Sequence, residues 1–239
     1  MPDGIPWNVR GQFVEVVYNG VHVGNYYLCE QIKIDGNRLD ITDSYEDIIK
    51  DNPNLNPTLE QCGYLLEFDS KDDKDPYFNT SNGIKVKFKD DAISGTSLAT
   101  AVQTKVKRIE DNLDKGTDAG YDAAYEELDL NTIVDQWLIW ELTMNREYGD
   151  PGSVYMYMDG NGPLCAGPVW DFDRGTFQYI EGAEGLGNSD RIKPYDEWMC
   201  WRSEESYIWY KQLIKSQKFQ QKVKERWAVI YPYLQDIVD

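Results

Sequence analysis

Residues 12–32 hold the tightest constraint on the fold. Two apolar runs, 12–18 and 21–32, meet at Asn19-Gly20, a pair suited to the two left-handed positions of a type I′ hairpin turn. The near-continuous apolar stretch Phe13-Val14-Glu15-Val16-Val17 predicts a strand covered on both faces. Further strands are predicted at 63–68 and 84–88. A second hairpin is predicted from 154–158 and 164–169 around Asp159-Gly160-Asn161-Gly162. The polar stretch 35–62, with Asn52-Pro53 and Asn56-Pro57, reads as a long loop or insertion.

Helices come later in the chain. Leu98, Val102, Val106, Ile109 and Leu113 recur every three or four residues, and Gly116 supplies a stop. Asn131 is a candidate cap for a second helix, with Val134, Trp137, Leu138, Glu141 and Leu142 facing mostly inward. Helical pattern resumes near Tyr207 after the glycines at 182, 185 and 187. The final helix turns Phe219, Val223, Trp227, Ile230 and Leu234 to the core, and Pro232 should bend or fray its end. Strands first and helices after predict one α+β domain over residues 1–239.

Charge and composition narrow the function. Lys and Arg number 24 against 42 Asp and Glu, a net charge of −18. That excess argues against gripping a bare nucleic-acid backbone or an anionic membrane surface. A mean hydropathy of −0.62 with no long apolar run predicts no transmembrane segment, and residues 1–30 lack the basic-then-apolar pattern of a signal peptide. Aromatic residues make up 13% of the chain, unlike disordered acidic sequences. Cys29, Cys62, Cys165 and Cys200 form no CxxC pair, which argues against structural zinc and leaves disulfide pairing open. With His22 the sole histidine, triads and His-based metal sites are excluded, and any chemistry falls to carboxylates and lysines.

The sharpest candidate is Gly167-Pro168-Val169-Trp170-Asp171-Phe172-Asp173. If extended, it sends Asp171 and Asp173 to one side and Trp170 and Phe172 to the other. Neighbouring carboxylates repel, and a bound Mg²⁺, Mn²⁺ or Ca²⁺ is the simplest compensation; the plain alternative is a solvated strand end. In 144–150, Asn145 could bring an amide to the same cation, or sit left-handed as a helix C-cap. The acidic run 69–75 is no EF-hand loop, since Lys74 and Thr80 stand where glycine and the closing glutamate belong. Lys85, Lys87 and Lys89 alternate on one strand, either as a charged edge or as a phosphate contact. Lys211, Lys215, Lys218 and Lys222 read as a solvated helical stripe, and His22 as exposed and inert. Glu30 and Glu67, at strand ends, each need a partner if they face inward.

Five of these stretches, in order from about 13 to 177, together resemble the CotH kinase family (spore coat protein H-like atypical kinases). They are 16–32 (Val-Val-Tyr-Asn-Gly to Cys-Glu-Gln-Ile), Gly63-Tyr64-Leu65-Leu66-Glu67, Glu141-Leu142-Thr143-Met144-Asn145, 151–157, and the 167–173 run with its Trp-Asp-Phe-Asp core. The resemblance implies a kinase-like fold that moves phosphate from ATP to Ser or Thr with Mg²⁺ or Mn²⁺, acting outside the cytoplasm on a protein substrate or a coat or envelope partner. By the same resemblance, Asp171 looks like the metal carboxylate with Asp173 in support. Asn145 corresponds to a second metal or phosphate ligand, and Lys87 to a weaker phosphate contact. The family usually has Asp two residues after that Asn, where this chain has Glu147; Asp150 is a possible substitute. Members also carry a preceding basic, Trp-containing segment that nothing here matches, so the expectation is a domain truncated at its N-terminus. The alternative function is an inactive coat or surface module on the same scaffold.

Overall fold

The computed structural model describes residues 4–145, 151–172, 176, 198, 200 and 208–238. Strands β1 (Gly11–Tyr18) and β2 (Val21–Cys29) form the expected hairpin, with Asn19 at φ 51° and Gly20 at φ 77°. A second, antiparallel sheet holds β3 (Gly63–Phe68), β4 (Tyr77–Asn79), β5 (Lys85–Phe88), β6 (Val154–Asp159) and β7 (Cys165–Ala166), in the order β4-β5-β3-β6-β7. The helices are α1 (Tyr45–Asp51), α2 (Ser97–Asp114), α3 (Asp118–Tyr125), α4 (Leu130–Thr143), α5 (Tyr210–Leu213) and α6 (Gln217–Val238). The α+β reading holds.

The main core lies on one face of the larger sheet. Cross-strand partners Leu66, Phe88 and Met156, with Phe68 and Val86, pack against the predicted stripe of α2 and against Val134, Trp137 and Leu138 of α4. Each such side chain contributes about 1.5–3 kcal/mol by leaving water. Phe68 meets Trp209 edge-on, and Trp137 meets Phe219 of α6 likewise. Two buried charges suit this core because donors meet the carboxylate and backbone carbonyls meet the ammonium. Glu110 of α2 accepts from the Asn82 N–H at 2.8 Å and the Trp209 indole at 3.1 Å. Lys105 donates to the carbonyls of Asn161 and Gly162, anchoring the β6–β7 turn to α2. Arg226 clamps α6 to α4 through Asp135.

Several expectations need correction. The first hairpin is not covered on both faces: no residue of β1 or β2 is buried, and Phe13 is 75% exposed. Periodicity reports that a strand could bury a face, and here no layer lies over it. The 35–62 stretch is not all loop, since Ser44 and Asp47 cap α1 with reciprocal hydrogen bonds. Asp129, rather than Asn131, caps α4 by accepting from the Thr132 N–H. Helix α3, capped by Thr117, was not expected. Leu142 is exposed because the buried stripe of α4 ends at Trp140. β5 is not an edge, as β4 and β3 flank it. Only Cys165 and Ala166 of the predicted 164–169 strand pair with β6. α6 runs through Pro232 to Val238. All four cysteines are free thiols. Among the described residues no helix is long and apolar enough to cross a membrane.

Candidate functional site

The other face of the larger sheet is polar at one end and apolar at the other. Register places Glu67 between Lys87 on β5 and Tyr155 on β6, with Leu65 opposite Tyr157. Paired residues share a face. Ile34 and Leu39, with Trp7, Ile32, Ile41 and Trp170 around them, cover the Leu65–Tyr157 end. Beside this cover opens a cleft of about 720 Å³. Its walls come from the end of β2 and the chain after it (Glu30, Lys33), from α1 (Glu46, Asp47, Lys50), and from Lys89, Asp90, Tyr155 and Trp170.

Glu30, Lys89 and Asp90, three of the charges around the cleft, are held by partners. Glu30 takes a bidentate grip from Arg10, which holds its carboxyl down at about 2. Lys89 donates to Glu67 at 2.9 Å and to Asp75. Burial lowers its pKa, but the hydrogen bonds it donates to Asp75 and Glu67 win and raise it above the ordinary lysine value. Burial acts most strongly on Asp90 and raises its pKa, although its carboxylate receives the N–H groups of Glu46 and Ala92. Glu30 and Glu67 thus have the partners their positions demand.

The acidic run 69–75 and the lysine strand form one ladder. Lys85 pairs with Asp72, Lys87 with Asp69 at 3.0 Å and with Asp73, and Lys89 with Asp75. Lys87 is 1% exposed and is not among the residues lining the cleft. Burial lowers its pKa; Asp73 and Asp69 outweigh that and leave it raised. Lys87 is neither on an edge nor open in this arrangement, and 69–75 is an ion-paired strap whose residues 70–74 remain exposed, as a solvated run would be.

Asp171 lies where the chain leaves Trp170. The 167–173 run is not extended there: Asp171 has φ 60°, a left-handed conformation that aspartate tolerates better than most residues. That turn sends its neighbours to different places, Trp170 into the Ile34–Leu39 cluster and Phe172 onto the main core. Ser153, itself left-handed at φ 56°, donates from Oγ to Asp171 Oδ2 at 3.2 Å. Two non-glycine residues held this way store on the order of 1 kcal/mol each, a pattern that clusters at functional sites. Ser153 was missed in the sequence; its only signal was the Pro151-Gly152 turn before it.

Asn145 follows the end of α4. Met144, not Asn145, takes the left-handed capping position at φ 55°, and the Asn145 N–H bonds back to the Trp140 carbonyl at 3.1 Å. The Asn145 side chain is buried and donates Nδ2–H to Thr176 Oγ1 at 3.1 Å, tying the helix end to the chain beyond Asp171. Glu147, Asp150 and Asp173 lie outside the described residues. The Asp171 carboxylate, the Ser153 hydroxyl and the Asn145 amide carry oxygen atoms of the kind Mg²⁺ and Mn²⁺ prefer. Among the described residues, however, no group of three or more Asp, Glu, His or Cys is placed to hold a metal.

A family model described as CotH kinase protein matches residues 8–236. Neither a curated protein nor a solved structure matches the chain.

Proposed function

The chain belongs to the CotH kinase family, and from that premise we propose that it is an ATP- and divalent-metal-dependent phosphotransferase with a kinase-like fold, acting on Ser or Thr of a protein outside the cytoplasm. The observation that supports this reading is the cleft lined by Trp170, large enough for a nucleotide; the left-handed Asp171 follows Trp170 in the chain but is not itself one of the cleft's walls. Phosphoryl transfer asks a protein chiefly to position its reactants and neutralise developing charge. Asp171, with Asp173, would hold Mg²⁺ or Mn²⁺, with the Asn145 amide as a further oxygen donor. The metal would supply charge neutralisation across the phosphates. Ser153 fixes one oxygen of Asp171 and leaves the other to a ligand. Glu147 is the proposed residue for orienting the acceptor hydroxyl. Lys33, Lys50 and Lys89 line the cleft among the acids Glu30, Glu46, Asp47 and Asp90, and Lys33 and Lys50 are its proposed phosphate contacts.

The test is transfer of labelled γ-phosphate from ATP with Mg²⁺ to a mixed protein substrate, run beside Asp171→Asn. Transfer by the native chain that falls at least about a hundredfold in the variant supports the reading, since misplacing a reacting group can cost that much. Absence of transfer from the native chain refutes it.

One observation favours a second reading, a non-catalytic coat or surface module on the same scaffold. Lys87, the family's phosphate lysine by resemblance, is buried and already held by Asp69 and Asp73. On this reading the ladder is structural, and Lys87→Met would change stability while no ATP-dependent effect exists to be lost.

A further inference from the structure

The hairpin is the one part of the described chain that folds without a cover. It forms its own two-stranded sheet, separate from the five-stranded one. An isolated strand pair is marginal in water and needs a third layer. Its two faces differ. Register pairs Val14 with Tyr26 and Gln12 with Leu28, and these residues share a face that carries no acid and no base within the two strands and ends at the Arg10–Glu30 ion pair. The opposite face pairs Phe13 with Tyr27 and Glu15 with Asn25, and Glu15 also bonds His22.

We propose that the uncharged face is where a second copy of this chain docks, giving a two-fold dimer through Val14, Val16, Tyr26 and Leu28. Charge selects this occupant. The chain carries −18, whereas residues 11–29 contain one acid, Glu15, and no Lys or Arg. Two such chains repel over most of their surface, and the hairpin is where they can meet without opposing like charges. A strongly charged partner would find nothing to pair with on that face, and an anionic membrane would repel the rest of the molecule. Tyr26 and Leu28 are 53% and 60% exposed. With Tyr18 and Val21 at the tip, 70% and 65% exposed, they offer roughly 500 Å² per copy once each side chain is scaled by its exposure. That matches the small end of specific interfaces, and a two-fold axis makes it self-complementary.

Sedimentation equilibrium on the whole chain tests this. The expected result is a monomer–dimer equilibrium with a Kd of about 1–100 µM, as suits an interface of that size. Raising salt from about 0.05 to 0.5 M should tighten it, because screening removes repulsion and leaves the apolar contact. Tyr26→Lys with Leu28→Lys should weaken the dimer about 30-fold or more, with an unchanged urea midpoint at chain concentrations well below the dimer Kd because neither residue belongs to a core cluster. Phe13→Lys on the other face should leave the dimer in place. A monomer throughout, open-ended aggregates, a dimer indifferent to the double variant, or one dissolved by Phe13→Lys alone would each overturn the proposal.

Discussion

The first hairpin and the central strands β3 and β6 draw on the same kinds of residue, and they meet opposite fates. Gly63–Phe68 is buried along its whole length, with α2 and α4 beneath it and the Ile34–Leu39 cluster above part of it. Gly11–Tyr18 is at least as apolar to the eye, and none of it is buried. The difference lies in the elements available to cover each strand. β3 and β6 have amphipathic helices to receive them, whereas β1 and β2 pair with each other and nothing described lies over them. Strand pattern therefore states a capacity for burial, and the covering layer decides whether it is used.

That contrast can be broken or sharpened by substitution. The largest effect belongs to Phe68→Ala on β3, which opens a cavity against Trp209 and should cost about 3–5 kcal/mol in urea unfolding. Next comes Lys87→Met on β5, which strands the buried Asp69 and should cost about 3 kcal/mol. Adding Asp69→Asn should recover part of that loss, and no recovery would show that the ladder does not act as a unit. Third is a pH effect at the base of the hairpin. Arg10 holds Glu30 at about 2, below the ordinary value of 4.5. A lowered carboxyl gives its support fully above pH 4.5 and loses it as pH falls towards 2. Protection of the Arg10 and Glu30 amides, taken relative to their intrinsic exchange rates at each pH, should fall over that window and stay constant in Glu30→Gln. Smallest is Phe13→Ala on β1, which should shift monomer stability by less than about 0.5 kcal/mol. A loss near that of Phe68→Ala would mean that the hairpin has a cover and that the contrast is false.

How much could be read from the sequence depends on the same physics. The hairpin, the stripe of α2, the β6–β7 turn and the last helix were legible because each is set by local rules of turn chemistry and period. Helix α3 was missed because Asp118–Tyr125 is short and its cap, Thr117, precedes no long apolar stripe. The Lys–Asp ladder was legible only as two separate charge runs, since pairing across β5 depends on where 69–75 folds back. At the site, Asp171 and Asn145 stood out from their neighbours, but the left-handed turns at Ser153, Asp171 and Met144 did not. Such conformations are imposed by surrounding structure on residues with no strong preference for them. The extended geometry expected of 167–173 failed at Asp171 for that reason.

The account stands on Asp171 holding a divalent ion against a nucleotide in the cleft that Trp170 lines. Thermal unfolding of the native chain with ATP, with Mg²⁺ and with both tests this most directly. At about a hundred times the dissociation constant, ATP with Mg²⁺ should add about 2.7 kcal/mol of stability, and Asp171→Asn should abolish the metal-dependent part. An unfolding curve that ATP and Mg²⁺ leave unmoved, or a shift that survives in Asp171→Asn, would contradict it.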